Sequence, residues 1–442
     1  MEETGQTAAG IESRVAEATP VSRENRIASV DVLRGLALLG ILVINVQSFA
    51  LPDMAIKMPS IAGGMEGMDR IAWWVSYLFF YHKCMPVFSM LFGAGLVLMN
   101  DRASGKSFPF RRFWMRRSFW LIAIGALHGY LLWGGDILYT YGVCGLLIYL
   151  FRNRSVRSLV VIASVLYVIG VPAVMAAGYY FDDVRSGSAA YEEKIEAGEE
   201  PDGAQARQHD VWMELKKDLE PSPEQLEEIY SVHRGGYIGI LRSRAPDVLM
   251  MHTAMFLFVV MWRIGGLMLY GMALMKGRVM SAEKSYRFYI IQCVAGYGAG
   301  FLLVVTGARL MIDGGYDVVE IYRRSGLFNT FGGPLVSMGH IGLAMIMCKA
   351  GVLGWLRNSL SAVGRMALTN YLSHTVICTT LFYGYGFGLY GRLGRAELYW
   401  VVLAVWAVQM TVSPVWLRFF RFGPVEWVWR SLTYGRRQPF RA

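Results

Sequence analysis

The chain has 442 residues, 55% of them hydrophobic and only 17% charged, with a mean hydropathy of +0.37. A soluble domain carries about 25% charged residues, so the composition excludes an ordinary soluble enzyme and points to a polytopic membrane protein. The formal net charge of +10 then reads as basic cytoplasmic loops rather than as nucleic-acid binding.

Residues 1–26 are polar, mixed in charge and free of a long apolar run, which reads as a cytoplasmic leader rather than a secretory signal. A membrane-crossing helix needs about 20 mainly apolar residues. About ten such stretches follow, near 29–50, 71–99, 115–134, 136–151, 156–181, 248–275, 286–311, 326–349, 366–390 and 398–419. The expected fold is an all-α polytopic bundle with five spans in 27–181, an extracytoplasmic segment over 182–247, and five spans and a cytoplasmic tail in 248–442. Lys and Arg crowd the short loops after the second, fourth, sixth and eighth spans and the tail, which places both termini in the cytoplasm.

Ionisable side chains inside such spans are costly and mark function or specific packing. The first span, SVDVLRGLALLGILVINVQSF, sets Asp31 and Arg34 on one helix face, where they can pair with each other or meet a ligand. In the second, YHKCMPVFSMLFGAG puts His82 and Lys83 ahead of Pro86, whose missing N–H favours a bend. The third is entered through KSFPFRRFWMRRSFW. There Arg111, Arg112, Arg116 and Arg117 are interleaved with aromatic rings, the pattern of an interfacial anchor and equally of a phosphate clamp.

GALHGYLLWGGDILYTYG then carries His128 and Asp136 on either side of a tight turn at Gly134 and Gly135. Folding the fourth span back on the third brings carboxylate and imidazole together. They form either a general base with its orienting partner or a structural bond that fixes the hairpin. Within 182–247, PSPEQLEEIY is a Ser-Pro helix start with an acidic first turn, and the segment reads as a lid or as a solvated connector. His252, Arg263 and His340 follow inside later spans, and ALTNYLSHT sets Asn370 and His374 on one face. The cysteines at 84, 144, 293, 348 and 378 stand apart from one another, with no CxxC pair or zinc-ligand spacing, and read as buried small hydrophobes. No Walker A or dinucleotide fingerprint occurs.

SVDVLRGLALLGILVINVQSF, FSMLFGAGL, GALHGYLLWGGDILYTYGVCGLL and GRMALTNYLSHTVICTTLFYGYGFGLYG, in this order and spacing, resemble the YeiB-like bacterial membrane proteins of the domain of unknown function 418 family. That family is in turn similar to a wider group of transmembrane acyltransferases, among them heparan-glucosaminide N-acetyltransferase and bacterial sugar O-acyltransferases. The shared feature is the D-x-x-R-G opening, here Asp31, Arg34 and Gly35. The resemblance implies a multi-pass protein of the bacterial cytoplasmic membrane that takes an acyl group from cytoplasmic acyl-CoA and delivers it to an acceptor on the other side. It also implies a His as base or transient acyl carrier.

On this reading His128 with Asp136, or alternatively His82, is catalytic. Arg111, Arg112, Arg116 and Arg117 hold the acyl-CoA phosphates, Arg34 and His374 join the substrate or cofactor contacts, and Lys83 or Asn370 stabilises the oxyanion. Acyl transfer needs a base and an oxyanion stabiliser but no metal. The expected partners are membrane lipids and a small-molecule, glycan or lipid acceptor, with no nucleic acid and with a homodimer as the oligomer to test. Two other readings use the same residues: a transporter or exporter of a small amphiphilic molecule, and a non-catalytic membrane scaffold.

Overall fold

The computed structural model describes residues 27–104 and 109–441. The expected leader, and Lys106 of the basic loop, lie outside the described residues. In chain order the helices are α1 (Ala28–Ala50), α2 (Gly67–Val75), α3 (Cys84–Ala103), α4 (Phe110–Leu131), α5 (Leu138–Ile148) and α6 (Val156–Glu196). Then come α7 (Gly203–Leu219), α8 (Pro223–His233), α9 (Tyr237–His252), α10 (Met261–Lys276), α11 (Tyr286–Asp313) and the single turn α12 (Val318–Glu320). The last are α13 (Gly326–Ala350), α14 (Gly354–Arg365), α15 (Ala367–Phe382), α16 (Arg395–Phe419) and α17 (Pro424–Tyr434).

Among the described residues, seven helical stretches are long and apolar enough to cross a membrane: Ala28–Ala50, Gly67–Ala103, Val156–Glu196, Tyr237–Lys276, Tyr286–Asp313, Val318–Ala350 and Arg395–Phe419. The other three expected spans fall on α4, which opens with four arginines, on α5 with 11 residues, and on α15 with 16.

Helix α1 is the hub. Its side chains from Val30 to Ala50 are largely buried, and Gly35 and Gly364 let α1 and α14 approach until a β-carbon on either would strike the other's backbone carbonyl. The periphery is apolar and open: Val294 and Leu302 on α11 are 68% and 69% exposed and Trp400 on α16 is 74% exposed. Side chains this greasy on the outer surface of a bundle are matched to lipid.

One boundary differs from the sequence reading. Helix α6 does not stop near residue 181 but runs on to Glu196, its extension held by Asp182 paired with Arg323, Arg185 paired with Asp317, and buried Val184 and Ser188. The acidic stretch beyond it forms α7 and α8, the second at the expected Ser-Pro start. Asp202 caps α7, and Ser222 caps α8 by accepting from the Gln225 N–H while the Gln225 side chain accepts from the Ser222 N–H. Helix α9 then leads into α10 through a π-helical turn at Phe256–Val260.

Candidate functional site

The α4–α5 hairpin is closed by Gly125, where a β-carbon would strike the backbone of Leu138 and Tyr139. This approach sets His128 against Asp136, with Nδ1 and Oδ2 2.7 Å apart and the two side chains 1% and 0% exposed. The other carboxylate oxygen, Oδ1, accepts from the Tyr139 N–H at 2.8 Å. On the far side of the ring, Nε2 lies 2.8 Å from the Thr375 hydroxyl of α15. A carboxylate, an imidazole and a hydroxyl therefore lie in one line. Asp136 accepts from Nδ1–H, which leaves Nε2 as the acceptor for the hydroxyl proton.

Around this line pack Tyr371, its ring 5.4 Å from that of His128, and His252, stacked on Tyr139 at 3.9 Å. Helix α9 lies over the hairpin tip. Arg244 donates to the carbonyls of Leu132 and Tyr130, and the Tyr237 hydroxyl donates to the Leu131 carbonyl at 2.8 Å.

The second helix breaks where a bend was expected, at Tyr81–Lys83 just before Pro86. A π-helical turn at Ser76–Phe80 precedes the break, and His82 sits in the left-handed region at φ 59°. Lys83 is fully buried and donates to the Tyr77 carbonyl and to Asn329 Oδ1, both at 2.6 Å. His82 turns the other way and meets Arg263 of α10, with Nη2 and Nδ1 3.1 Å apart. Neither residue contacts the His128 line in the structure.

Asn370 donates to the Val363 carbonyl and Ser413. His374 meets Gln409 at 2.9 Å, and Gln409 returns bonds to the Asn370 carbonyl and Ser373. These two expected site residues thus join α15 to α16.

At the end of the bundle that carries the beginning of α1 and the α17 helix, the expected arginine clamp divides. Arg111 and Arg112 are exposed. Arg116 donates to the Leu432 carbonyl at 2.9 Å, and the Arg117 guanidinium lies 3.7 Å over the Trp429 ring. Arg34 pairs with Asp31 at 2.7 Å, and Arg34, Arg117 and Arg430 lie within electrostatic reach of one another. Burial, with Arg34 adding to it, pulls the Arg430 guanidinium below its usual range.

Beside them Glu426 accepts from the N–H groups of Leu368 and Thr369 and from the Thr369 hydroxyl, holding the start of α15. Burial pushes its carboxyl up, although these bonds oppose the shift. A groove of about 450 Å³ opens at the same end between α14 and α16, lined by Asn358, Ser361, Arg365 and Arg418.

Sequence reasoning missed Thr375, Glu426 and Arg430. Thr375 directly follows the noticed His374, but nothing in a lone threonine announces a bond to a residue 247 positions away. Glu426 and Arg430 lie beyond the last expected span, in what read as a cytoplasmic tail.

A many-helix membrane bundle with a buried His–Asp pair and a cluster of arginines at one end is the class that this geometry defines. The family described as Protein of unknown function (DUF418) matches residues 274–436. The uncharacterised protein YeiB of Escherichia coli is 31% identical over 420 residues, 92% of this chain and 96% of that protein. The uncharacterised protein YxaH of Bacillus subtilis is 30% identical over 442 residues, 95% of this chain and 97% of that protein. An uncharacterised 39.9 kDa protein of Bacillus acidopullulyticus is 24% identical over 95% of this chain and 97% of its own length. The chain belongs to the YeiB-like DUF418 family of bacterial membrane proteins.

Proposed function

We propose that the protein is an integral-membrane acyltransferase of the bacterial cytoplasmic membrane, moving an acyl group from cytoplasmic acyl-CoA to a hydroxyl or amine on a glycan or lipid acceptor. The observation that carries this reading is the placement of two unlike sites on α4. Arg117 belongs to the arginine cluster, and His128 lies eleven residues further along the helix, about 16 Å at 1.5 Å per residue. That separation is on the scale of an extended pantetheine arm. CoA phosphates held by Arg34, Arg117 and Arg430, with Arg111, Arg112 and Arg116 at the rim, would thus present the thioester near His128.

In the proposed reaction His128 Nε2 takes the proton of a hydroxyl, either that of Thr375 or that of an acceptor displacing it. Asp136 stabilises the imidazolium that forms. The oxygen attacks the thioester carbonyl, the C–S bond breaks, and the CoA thiolate leaves with the proton returned by His128. Where that oxygen is Thr375's, the acceptor then attacks the acyl-threonine ester with His128 again as base, and the Thr375 hydroxyl is regenerated. The His128 line is sealed in this structure, so a substrate reaches it only when the packing around it opens.

The resemblance to transmembrane acyltransferases supports the same chemistry. The test is calorimetric titration of acetyl-CoA into the purified protein. Saturable binding is expected, weakened at least about tenfold by Arg34→Gln or Arg117→Gln, since each removes a charge-assisted bond to phosphate. Absence of binding by the wild type refutes the proposal. A carrier of small molecules is the second reading, favoured by the helix breaks in mid-bundle, a hallmark of transport sites.

A further inference from the structure

Three π-helical turns, Ser76–Phe80, Phe256–Val260 and Ile321–Ser325, interrupt three different membrane-crossing stretches. Such turns are rare and gather at functional sites, and irregular backbone inside a membrane is tolerated where it lines a cavity. All three border one cluster of basic and phenolic side chains. The first leads into Tyr81 and His82, the second precedes Arg263, and the third contains Tyr322. Lys57, from the loop after α1, completes the cluster: its Nζ donates to the Tyr322 hydroxyl at 2.7 Å. Tyr81 lies within electrostatic reach of Lys57, Tyr322 and Arg263, and His82 within reach of Arg263, Lys83 and Lys57. Lys57, Tyr81, His82, Arg263 and Tyr322 all retain accessible surface.

The chemistry of this cluster is one-sided. Arginine can only donate, so the Arg263 bond to His82 Nδ1 uses that nitrogen as acceptor and leaves the imidazole proton on Nε2 as a further donor. Arg263 Nε makes no hydrogen bond among the described residues. Lys57 keeps two N–H donors beyond its bond to Tyr322, and that bond leaves the Tyr322 O–H free to donate. Beside the cluster, buried Lys83 is held by two neutral acceptors. The nearby carboxylates are engaged elsewhere: Asp182 with Arg323 and Arg185, Asp317 with Arg185, and Asp53 with Ser48. Asp53 lies within electrostatic reach of Lys57, and burial pushes its carboxyl up.

We propose that this cluster is a binding site for an oxyanion of the phosphate type, carried by a soluble phosphoester or by a lipid headgroup. Clustered guanidinium, ammonium, imidazole N–H and phenol donors fit a tetrahedral oxyanion and repel a cation. The proposal stands independently of the acyl-transfer reading, because the cluster does not include the His128 line or the arginine cluster near α17.

The test uses the full-length protein in lipid-free detergent, titrated calorimetrically with inorganic phosphate and glycerol phosphate at constant ionic strength. A parallel arm measures the protein's uptake into nanodiscs with and without phosphatidic acid. Binding in the first arm identifies a soluble ligand; preference for phosphatidic acid with no binding in the first arm identifies a headgroup. In either arm Arg263→Gln should weaken binding on the order of tenfold or more. Lys57→Gln, in a loop outside the spans, should do the same if Arg263→Gln fails to fold. Asp53→Asn should strengthen binding. No binding in either arm, or undiminished binding by folded Lys57→Gln, overturns the proposal.

Discussion

Asp136→Asn separates a working His–Asp pair from a structural one. Asp136 accepts twice, from His128 Nδ1 on Oδ2 and from the Tyr139 N–H on Oδ1. Asparagine has one oxygen. If that oxygen stays on the Tyr139 N–H, which is a backbone donor with no substitute partner, the amide N–H faces His128 Nδ1. The imidazole must then accept at Nδ1 and carry its proton on Nε2, toward Thr375. The nitrogen that should take the hydroxyl proton is already protonated, and the negative charge that would stabilise imidazolium is gone. The same exchange in the Asp–His pair of serine proteases lowers turnover about 10⁴-fold, about 5.5 kcal/mol on the barrier.

The cost to folding is far smaller. Two charge-assisted bonds become neutral ones, a loss of about 1–2 kcal/mol. The assay is transfer from acetyl-CoA labelled in the acetyl group, in membranes containing the variant, with acetyl-CoA affinity and thermal unfolding measured on purified protein. The expected pattern is wild-type affinity, near wild-type stability and transfer reduced about 10³-fold or more. Transfer at the wild-type rate by a folded Asp136→Asn protein would refute the catalytic role and leave the pair as a hairpin clamp.

Thr375→Val keeps the side-chain shape and removes the hydroxyl that meets His128 Nε2, so transfer should fall while acetyl-CoA affinity holds; unchanged transfer would exclude Thr375 from the reaction. Glu426→Ala leaves two backbone N–H groups at the start of α15 without their acceptor and should cost on the order of 3 kcal/mol in detergent unfolding. Glu426→Gln, which keeps an acceptor oxygen, should cost about 1 kcal/mol. His233 donates through Nδ1 to the Ile229 carbonyl at 2.8 Å and stacks on Tyr390 at 4.1 Å. Burial lowers its pKa below 6.5, against the opposing pull of Asp53 and with Arg244 adding to the depression. Its neutral form therefore stabilises α8 above pH 6.5, and that stability is lost as pH falls through the lower folded value. Hydrogen exchange across 223–233 should accelerate below that pH, and His233→Phe should flatten the response.

The helical, membrane-spanning character was legible because lipid demands long apolar runs, and those runs are explicit in residues such as those of α1 and α11. The His128–Asp136 contact was legible for a local reason: the glycines between them allow only a tight return. What distance in sequence separates was not legible. Arg263 meets His82 across 181 positions, and Lys83 meets Asn329 across 246. Hydropathy reports depth in the membrane, not rotation about a helix axis, so it could not tell that His82 and Lys83, adjacent in sequence, would face opposite ways. Arg111 to Arg117 read as an interfacial anchor or as one phosphate clamp because two Arg pairs are interleaved with aromatic rings; packing of α17 divided them, and α17 looked like tail because its eleven residues are too few to span.

Acyl transfer itself is tested most directly by following the labelled acetyl group in membranes that contain the wild-type protein or His128→Ala, with cytoplasmic-side acetyl-CoA supplied. The wild type should move label from CoA into a glycan or lipid fraction with matching release of CoA thiol, and His128→Ala, folded and still binding acetyl-CoA, should not. Label that remains on CoA in wild-type membranes, at the level of membranes lacking the protein, would contradict the acyltransferase assignment.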